Sequence, residues 1–305
     1  MTSFVCAISD ACSALRGPSK KTNRSDCFAN SFLLSAVRDS LVWLGRLKAK
    51  NIIGDKDIKP LGNKYCVSHR YPIFNLTKNF RLISPDDKSF LCVKDDHFGA
   101  EYSGEFLSEY TQLFALAEYL KTENDEFVHL FQYRKFVSDA PNLRSSNVNH
   151  YKTCKPDEVD SIINFYEDKI LTTNVIPYKN TAANYAQVHI IEDFICLTLA
   201  MKEFGFSNKE VKRFINLKYL LAASSLGSYP RKFFIEAMDT LKKVWHIFYN
   251  SYYEERQGYQ RRVGGFLLER LHSFLLVDYL ATTNIPYVHG HIVVVTDDGI
   301  VKVTT

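Results

Sequence analysis

Cationic side chains follow a short apolar run in the segment DEFVHLFQYRKFVS, residues 125–138. The run Phe127–Phe131 predicts a buried strand, and the residues directly after it are Gln132, Tyr133, Arg134 and Lys135. Arginine presents a planar fork of donors to phosphate oxygens and lysine a point charge, so this strand end suits a polyanionic ligand such as a diphosphate. The alternative is that both cations only pair with surface carboxylates.

Two other β-rich runs also end in ionisable residues. YCVSH (65–69) leads to His69 and Arg70, and FLCVK (90–94) leads to Lys94, Asp95 and Asp96. Ligands of a parallel sheet bind beyond the carboxyl ends of its strands. We therefore expect a single crevice surrounded by four cations: Arg70, Lys94, Arg134 and Lys135.

Three carboxylates are candidates for catalysis or metal binding. Asp95 and Asp96 could hold Mg²⁺ or Mn²⁺ between phosphate oxygens, since hard cations prefer carboxylate oxygens, but adjacent aspartates are also common in turns. Glu269 lies in an apolar helical segment, where an uncompensated carboxylate is costly. It is either a general base or the ion-pair partner of Arg261, Arg262 or Arg270. His289 and His291 have no apparent third ligand, so we predict no metal there.

The elements that position these residues alternate between strand and helix. Residues 104–122 carry apolar side chains at helical spacing, and a helix between two strands implies a parallel crossover. Helices are predicted near 180–204, 208–218, 230–256 and 260–282, the last apolar nearly all round and therefore buried. The polar segment 138–153 predicts a long loop that acts as a lid or a ligand contact, and the tail predicts a hairpin about Asp298-Gly299.

Composition excludes several classes of protein. The 305 residues are 46% hydrophobic and carry a net charge of +4, which is too weakly basic to indicate nucleic-acid binding by itself. The seven cysteines include no C-x-x-C pair, so we expect reduced thiols. The apolar runs are too short to span a bilayer, which predicts a soluble or peripheral protein. A basic amphipathic helix expected near residues 26–50 would pack on its own domain or lie on a membrane surface.

Several stretches, taken in order, resemble a bacterial family, the glycosyltransferase-like domain found in exopolysaccharide, capsule and lipopolysaccharide O-antigen clusters. The matching residues in the first half are His69-Arg70, Asp95, Asp96, Gly99, Glu109-Tyr110-Thr111 and Gln132-Tyr133-Arg134-Lys135. The most specific match is RRVGGFLLERL, which holds Arg262, Val263, Gly265, Phe266, Glu269, Arg270 and Leu271. His189 and Asp193 also fit, and the resemblance covers roughly residues 65–285.

The resemblance implies an α/β, Rossmann-like fold of GT-A type, in which helices flank a mixed or parallel sheet and the C-terminal half is mostly helical. We expect an N-terminal helical extension (1–64) and a glycosyltransferase-like domain (65–305), divided into a nucleotide-sugar-binding part (65–178) and a helical acceptor part (179–305). The candidate catalytic residues are Asp95, Asp96 and Glu269. The candidate nucleotide-sugar-binding residues are His69, Arg70, Lys94, Glu109, Thr111, Gln132, Tyr133, Arg134, Lys135, His189 and Arg262.

The function implied by the resemblance is transfer of a hexose, with galactose as a candidate, from a UDP-sugar to a glycan or lipid-linked glycan of the bacterial surface. The GT-A fold usually carries an Asp-x-Asp metal motif where this chain has Gln132 to Lys135. Our hypothesis is that cations replace the metal there, so no cofactor is expected, with Mn²⁺ or Mg²⁺ as the alternative. We expect a cytoplasmic enzyme, or one that contacts the inner face of the membrane, and no nucleic-acid partner.

Departures from the family pattern favour a second hypothesis, a non-catalytic relative that binds a glycan or supports a partner enzyme. Gln132 replaces the motif histidine, AEYSGEF replaces an Asn-Ile-Ser stretch, and Ser224-Ser225-Leu226 stands where Asn-Met-Phe is expected. A third hypothesis, a module that binds nucleic acid or a membrane surface, rests on the basic N-terminal segment alone.

Overall fold

The computed structural model describes residues 63–68, 72–74, 80–95, 97–298 and 300–301. All of them belong to the unit Pro60–Thr305. The predicted N-terminal extension, apart from Asn63 and Lys64, lies outside the described residues, and so do the predicted site residues His69, Arg70 and Asp96.

Four parallel strands form the first half of the sheet. The β-rich run 65–69 overlaps β1 (Lys64–Val67), the run 90–94 contains β3 (Leu91–Cys92), and the apolar run is β4 (Phe127–Phe131); β2 (Arg81–Ser84) lies between the first two along the chain. Their order is β3-β2-β1-β4, with every neighbouring pair parallel. All five residues of β4 are buried, as expected for a parallel strand that is covered on both faces. The predicted parallel crossover is therefore confirmed.

The helix predicted at 104–122 is in fact two helices, α1 (Gly104–Leu107) and α2 (Tyr110–Leu120). The break falls at Ser108, whose backbone has a φ of 56°. Phe106, Leu107 and Tyr110 all pack into the main hydrophobic core. The apolar spacing therefore continues across the break, and periodicity alone could not reveal it.

The rest of the sheet mixes parallel and antiparallel strands. The chain adds β5 (Lys135–Ser138), β6 (Arg144–Ser145), β7 (Tyr151–Cys154), β8 (Ile170–Thr173), β9 (Val175–Pro177), β10 (Tyr219–Leu221), β11 (Gly227–Pro230) and β12 (Tyr287–Val295). The ten-stranded sheet runs β3-β2-β1-β4-β11-β8-β12-β7-β6, with β5 also paired to β12, while β9 and β10 form a separate pair. Since β11 is antiparallel to both β4 and β8, the fold is a mixed α/β sheet.

Two sequence predictions about irregular segments were wrong. The segment 138–153, predicted as a loop, contains β6 and the start of β7, which are too short and too exposed to show an apolar pattern. The tail does not begin with a hairpin strand, because β12 is paired on both sides, with β5 over His291–Val294 and with β7 over Ile292–Val295. No edge of β12 is left there for a hairpin partner.

Helices cover the sheet and dominate the C-terminal half. They are α3 (Val159–Ile162), α4 (Thr181–Ala186), α5 (Ile191–Phe204), α6 (Asn208–Asn216), α7 (Arg231–Ser251) and α8 (Val263–Thr282). The predicted helix at 180–204 is thus divided into α4 and α5. The predicted burial of the last helix is confirmed, since most side chains of α8 up to Leu276 are buried. Within the described ranges, no helix is both long and apolar enough to cross a membrane.

Candidate functional site

The strand β4 ends in a tight turn at the rim of the sheet. Cys66 of β1 lies opposite Phe131 of β4 in a parallel pair, so both strands end at the same edge. The Gln132 N–H donates to the Lys135 carbonyl at 2.7 Å, and the Lys135 N–H donates back at 3.3 Å. The cations follow the core strand because the chain reverses there, with Arg134 in the turn and Lys135 at the start of β5.

The carboxylate of Glu109 lies against this turn. Glu109 precedes α2, and its Oε1 accepts hydrogen bonds from Gln132 Nε2 at 3.0 Å and from Ser225 Oγ at 3.3 Å. Ser225 lies in the loop before β11 and is buried. The half-buried carboxylate therefore joins the strand end to the C-terminal half of the chain.

Lys135 lies within electrostatic range of four other charged groups. Burial lowers the pKa of Lys135; the carboxylates of Glu109 and Glu269 oppose this effect, and the guanidinium groups of Arg134 and Arg262 add to it. Lys135 Nζ also lies 5.6 Å from the ring centroid of Tyr151. These residues form what we call the rim cluster: Glu109, Arg134, Lys135, Tyr151, Arg262 and Glu269.

Arg134 carries an unused donor within this cluster. Its guanidinium carbon lies 5.4 Å from the Tyr133 ring centroid. Its Nε is buried and has no hydrogen-bond partner in the part of the chain that the structure describes. Buried donors are nearly always bonded, so this Nε is one of the exceptions among the described residues.

Glu269 does not form any of the ion pairs considered from the sequence. Its Oε1 accepts a hydrogen bond from the Ala223 N–H at 3.3 Å, and the side chain is half-buried. The three arginines have other partners: Arg261 pairs with Glu105, Arg262 donates to Ser108, and Arg270 donates to Asn184 and to the Phe266 carbonyl. The ion-pair reading is therefore not supported by the described contacts, and the role of Glu269 as a base stays a prediction.

Backbone strain is concentrated at this site. Among the described residues, the non-glycine positions with positive φ are Ser108 (56°) and Ala223 (48°). Ala223 holds Glu269, and Ser108 Oγ accepts from Arg262 Nε at 3.0 Å and Nη2 at 2.8 Å. Such conformations cost about 1–3 kcal/mol each and cluster at functional sites.

A glycine allows α8 to approach this break between α1 and α2. A Cβ added to Gly265 would lie 2.6 Å from Ser108 Oγ, closer than real Cβ contacts. Gly265 of the RRVGGFLLERL motif therefore has a steric reason, because it lets the start of the helix that carries Glu269 pack against Ser108, which accepts the hydrogen bonds of Arg262.

Several predicted residues lie away from the rim cluster. Lys94 pairs with Asp87 at 2.8 Å and is half-exposed, and the carboxylate of Asp95 accepts from the Gly104 N–H at 3.2 Å at the start of α1. No described contact joins either of them to Arg134 or Lys135, so the four-cation crevice is not assembled as predicted among the described residues.

Thr111 and His189 also have roles in packing. Thr111 is fully buried and donates to the Tyr102 carbonyl at 2.5 Å, so it is not accessible to a ligand, and its assignment to the binding site is corrected. His189 stacks on Phe266, with ring centroids 4.0 Å apart, and burial lowers its pKa to about 4. Asp193, which the motif included, forms an ion pair with Arg256 at 2.8 Å.

Metal binding was left open by the sequence, and the described residues offer limited support for it. Within the described ranges, no group of three or more His, Cys, Asp or Glu residues is arranged to hold a metal ion. Asp96 is outside those ranges, and Asp95 offers one exposed carboxylate.

Sequence reasoning missed the residues that orient the charged groups. Each of three charged side chains is hydrogen-bonded to a small residue: Arg262 to Ser108, Glu269 to the Ala223 N–H, and Glu109 to Ser225. None of these small residues is distinctive by type. The one available signal was Ser224-Ser225-Leu226, which was noted only as a departure from the family motif, although Ser225 contacts the cluster directly.

Comparison with known proteins shows the fold. No protein-family model matches the sequence. No curated protein matches it. Among solved structures, the chain is similar to the apo structure of WbbM, a bifunctional glycosyltransferase, with a TM-score of 0.60 and 14% sequence identity. The similarity covers 77% of this chain and 45% of the WbbM chain, so it spans less than half of that protein. The described chain therefore shares its mixed α/β fold with part of a glycosyltransferase.

Proposed function

We propose that the chain is a glycosyltransferase of GT-A type that transfers a sugar from a nucleotide-diphospho-sugar, with UDP as the nucleotide, to a bacterial surface polysaccharide. The observation that carries the proposal is the rim cluster, in which two arginines and two carboxylates lie within electrostatic range of Lys135 at the edge where β1 and β4 end. The fold shared with WbbM supports this proposal, and the family resemblance of the motifs suggests the class of acceptor.

The cations would stabilise the leaving diphosphate. Breaking the bond between the anomeric carbon and the phosphate oxygen leaves negative charge on the nucleotide. Positive side chains that are already in place stabilise this charge without reorganising. Arg134, Lys135 and Arg262 are the described candidates, because the charges of both arginines lie within electrostatic range of Lys135 at the end of β4. His69 and Arg70, which come two and three residues after the end of β1 in the sequence, are further candidates from the sequence alone.

Glu269 is our candidate for the general base. In an inverting transfer, the acceptor hydroxyl attacks the anomeric carbon, a new carbon–oxygen bond forms, and the hydroxyl proton must be taken up. Glu269 is half-buried and has no cation within 4 Å among the described residues, so its carboxylate is available to take that proton. Glu109, with two hydrogen bonds already on Oε1, is better placed to orient the turn that carries Arg134 and Lys135.

The proposal is tested by the release of UDP from a panel of UDP-hexoses, with and without extracted surface-glycan acceptor. We expect acceptor-dependent release with at least one donor and a product enlarged by one hexose. UDP-sugar binding without release from any donor would favour the non-catalytic relative, for which Gln132 and Ser224-Ser225-Leu226 are the supporting departures. Failure to bind any nucleotide would refute both.

A further inference from the structure

An open cavity of about 450 Å³ lies beside the rim cluster, between the start of β7, the junction of β8 and β9, and the middle of β12. Tyr151 belongs to both, since it is one of the residues that line the cavity and its ring centroid lies 5.6 Å from Lys135 Nζ. Ala222 also lines the cavity, and the backbone N–H of the next residue, Ala223, donates a hydrogen bond to Glu269. The cavity is therefore one residue away along the chain from the backbone group that contacts Glu269, and its volume is within the usual range for small-molecule sites.

The ionisable residues that line this cavity, apart from Tyr151, are all bases. They are His150, Lys152, His289 and His291, and no aspartate or glutamate is among the lining residues. Three of the nine histidines of the chain thus meet in one place. They do not form a metal-binding group with other described residues, so their chemistry points to an organic anion.

Lys152 lacks a counter-charge in this cavity. Its side chain is half-buried, and its ammonium donates to Ser145 Oγ at 3.4 Å. No carboxylate of the described residues lies within 4 Å of that ammonium. The contact with Ser145 is exposed, so the ammonium faces solvent without a described carboxylate partner and is available to bind an anionic group of a ligand.

Neighbouring polar groups could bind sugar hydroxyls. His289 Nδ1 is 3.0 Å from the Thr173 carbonyl, so it donates there, and Nε2 of the neutral ring is an acceptor. His291 Nδ1 is 2.6 Å from Asn174 Nδ2, so it accepts there, and Nε2 carries the proton. The cavity thus combines a cation with both a donor and an acceptor, a set that suits a hydroxylated anion.

We propose that this cavity is the acceptor subsite, and that it binds a sugar carrying a negative charge, either a carboxylate or a phosphate. The inference rests on the proposed glycosyltransferase function, because it assigns the cavity beside the rim cluster to the acceptor. The anionic group would lie near Lys152, and a hydroxyl of the same sugar would reach towards Glu269 past Tyr151.

The test compares three ligands by titration with ligand-observed NMR: methyl glucuronide, glucose 1-phosphate and methyl glucoside. We expect one or both anions to bind at least about tenfold more tightly than the neutral glucoside, and the comparison of the two anions identifies the group. Lys152→Gln should weaken anion binding about tenfold, the effect of losing one charged hydrogen bond. His289→Gln, at an exposed position, should weaken the binding of all three ligands.

Two controls separate the possible failures. Lys179→Gln removes a charge at an exposed position outside the lining and should leave all affinities unchanged. If the wild-type protein binds UDP but shows no preference for anions, or if Lys152→Gln has no effect, the acceptor subsite is refuted while the proposed function stands. If UDP itself does not bind, the proposed function fails.

Discussion

Replacing Glu269 with glutamine tests the assignment of the general base. The hydrogen bond that Glu269 Oε1 accepts from the Ala223 N–H, at 3.3 Å, can be kept by a glutamine amide oxygen. The variant should therefore fold normally and lose only the negative charge that takes up the acceptor's proton. General bases contribute about 10²–10⁴-fold to turnover, so we expect the turnover number for UDP release to fall by about 100-fold or more.

Binding of UDP should respond differently in the same variant. Removing a negative charge from the neighbourhood of the diphosphate reduces repulsion, so the dissociation constant for UDP should stay the same or decrease. Burial lowers the pKa of Lys135 and Glu269 raises it, so the variant should lower this pKa further. If protonated Lys135 contributes to UDP binding, affinity should therefore be lost at a lower pH than in the wild-type protein.

The control for this experiment is Glu236→Gln, which removes an exposed carboxylate on α7 and should leave turnover unchanged. The assay is acceptor-dependent UDP release, with UDP binding measured on the same preparations. A turnover number for Glu269→Gln within about threefold of wild type, with UDP binding intact, would refute the assignment of Glu269 as the base.

Three further predictions concern the cluster and the core. In the wild-type chain the Gln132 amide nitrogen lies 3.0 Å from the Glu109 carboxylate. Gln132→Glu would place a second carboxylate there, and like charges at this distance repel. We therefore expect a lower melting temperature in thermal unfolding. Gly265→Ala would push a Cβ to 2.6 Å from Ser108 Oγ, and displacement of the Arg262 anchor should weaken UDP binding about tenfold, the value of one charged contact. Burial lowers the pKa of His129 from 6.5 to about 4, so the unfolded chain binds this proton first as pH falls. The stability contributed by neutral His129 should be present above pH 6.5 and be lost progressively towards pH 4, by up to about 3 kcal/mol, in urea titrations.

Each of these predictions has a result that contradicts it. An unchanged melting temperature for Gln132→Glu would mean that its side chain turns away from Glu109. Wild-type affinity for UDP in Gly265→Ala would remove Arg262 from the binding site. A His129→Gln variant whose stability between pH 6.5 and pH 4 falls as steeply as that of the wild-type protein would show that other groups cause the loss.

The fold was largely predictable because its strongest signals are local. The run Phe127–Phe131 is fully buried, and the apolar residues of 263–276 form a buried helix, as their patterns predicted. The sequence did not reveal β11, GSYP, which completes the sheet between β4 and β8. Its glycine and proline are unusual in a strand, and its place in the sheet depends on partners about 100 and 60 residues away in the chain.

The site was predicted only in part because its arrangement depends on tertiary contacts. The edge where β1 and β4 end follows from the parallel crossover, so Arg134 and Lys135 could be placed there. The meeting of Glu109 with Ser225, and of Glu269 with Ala223, joins residues 116 and 46 positions apart. Lys94 was placed with the cations because it follows a strand, but the short β3 leaves it beside Asp87.

The measurement that tests the central claim most directly is calorimetric titration of UDP into the wild-type protein, Arg134→Gln and Lys135→Gln, each with and without a chelator. If the cations at the rim of β4 bind the diphosphate, each variant should bind UDP about tenfold or more weakly, the chelator should have no effect, and Lys232→Gln on the exposed face of α7 should behave as wild type. UDP binding that is unchanged in both variants, or that disappears with the chelator, would contradict the account.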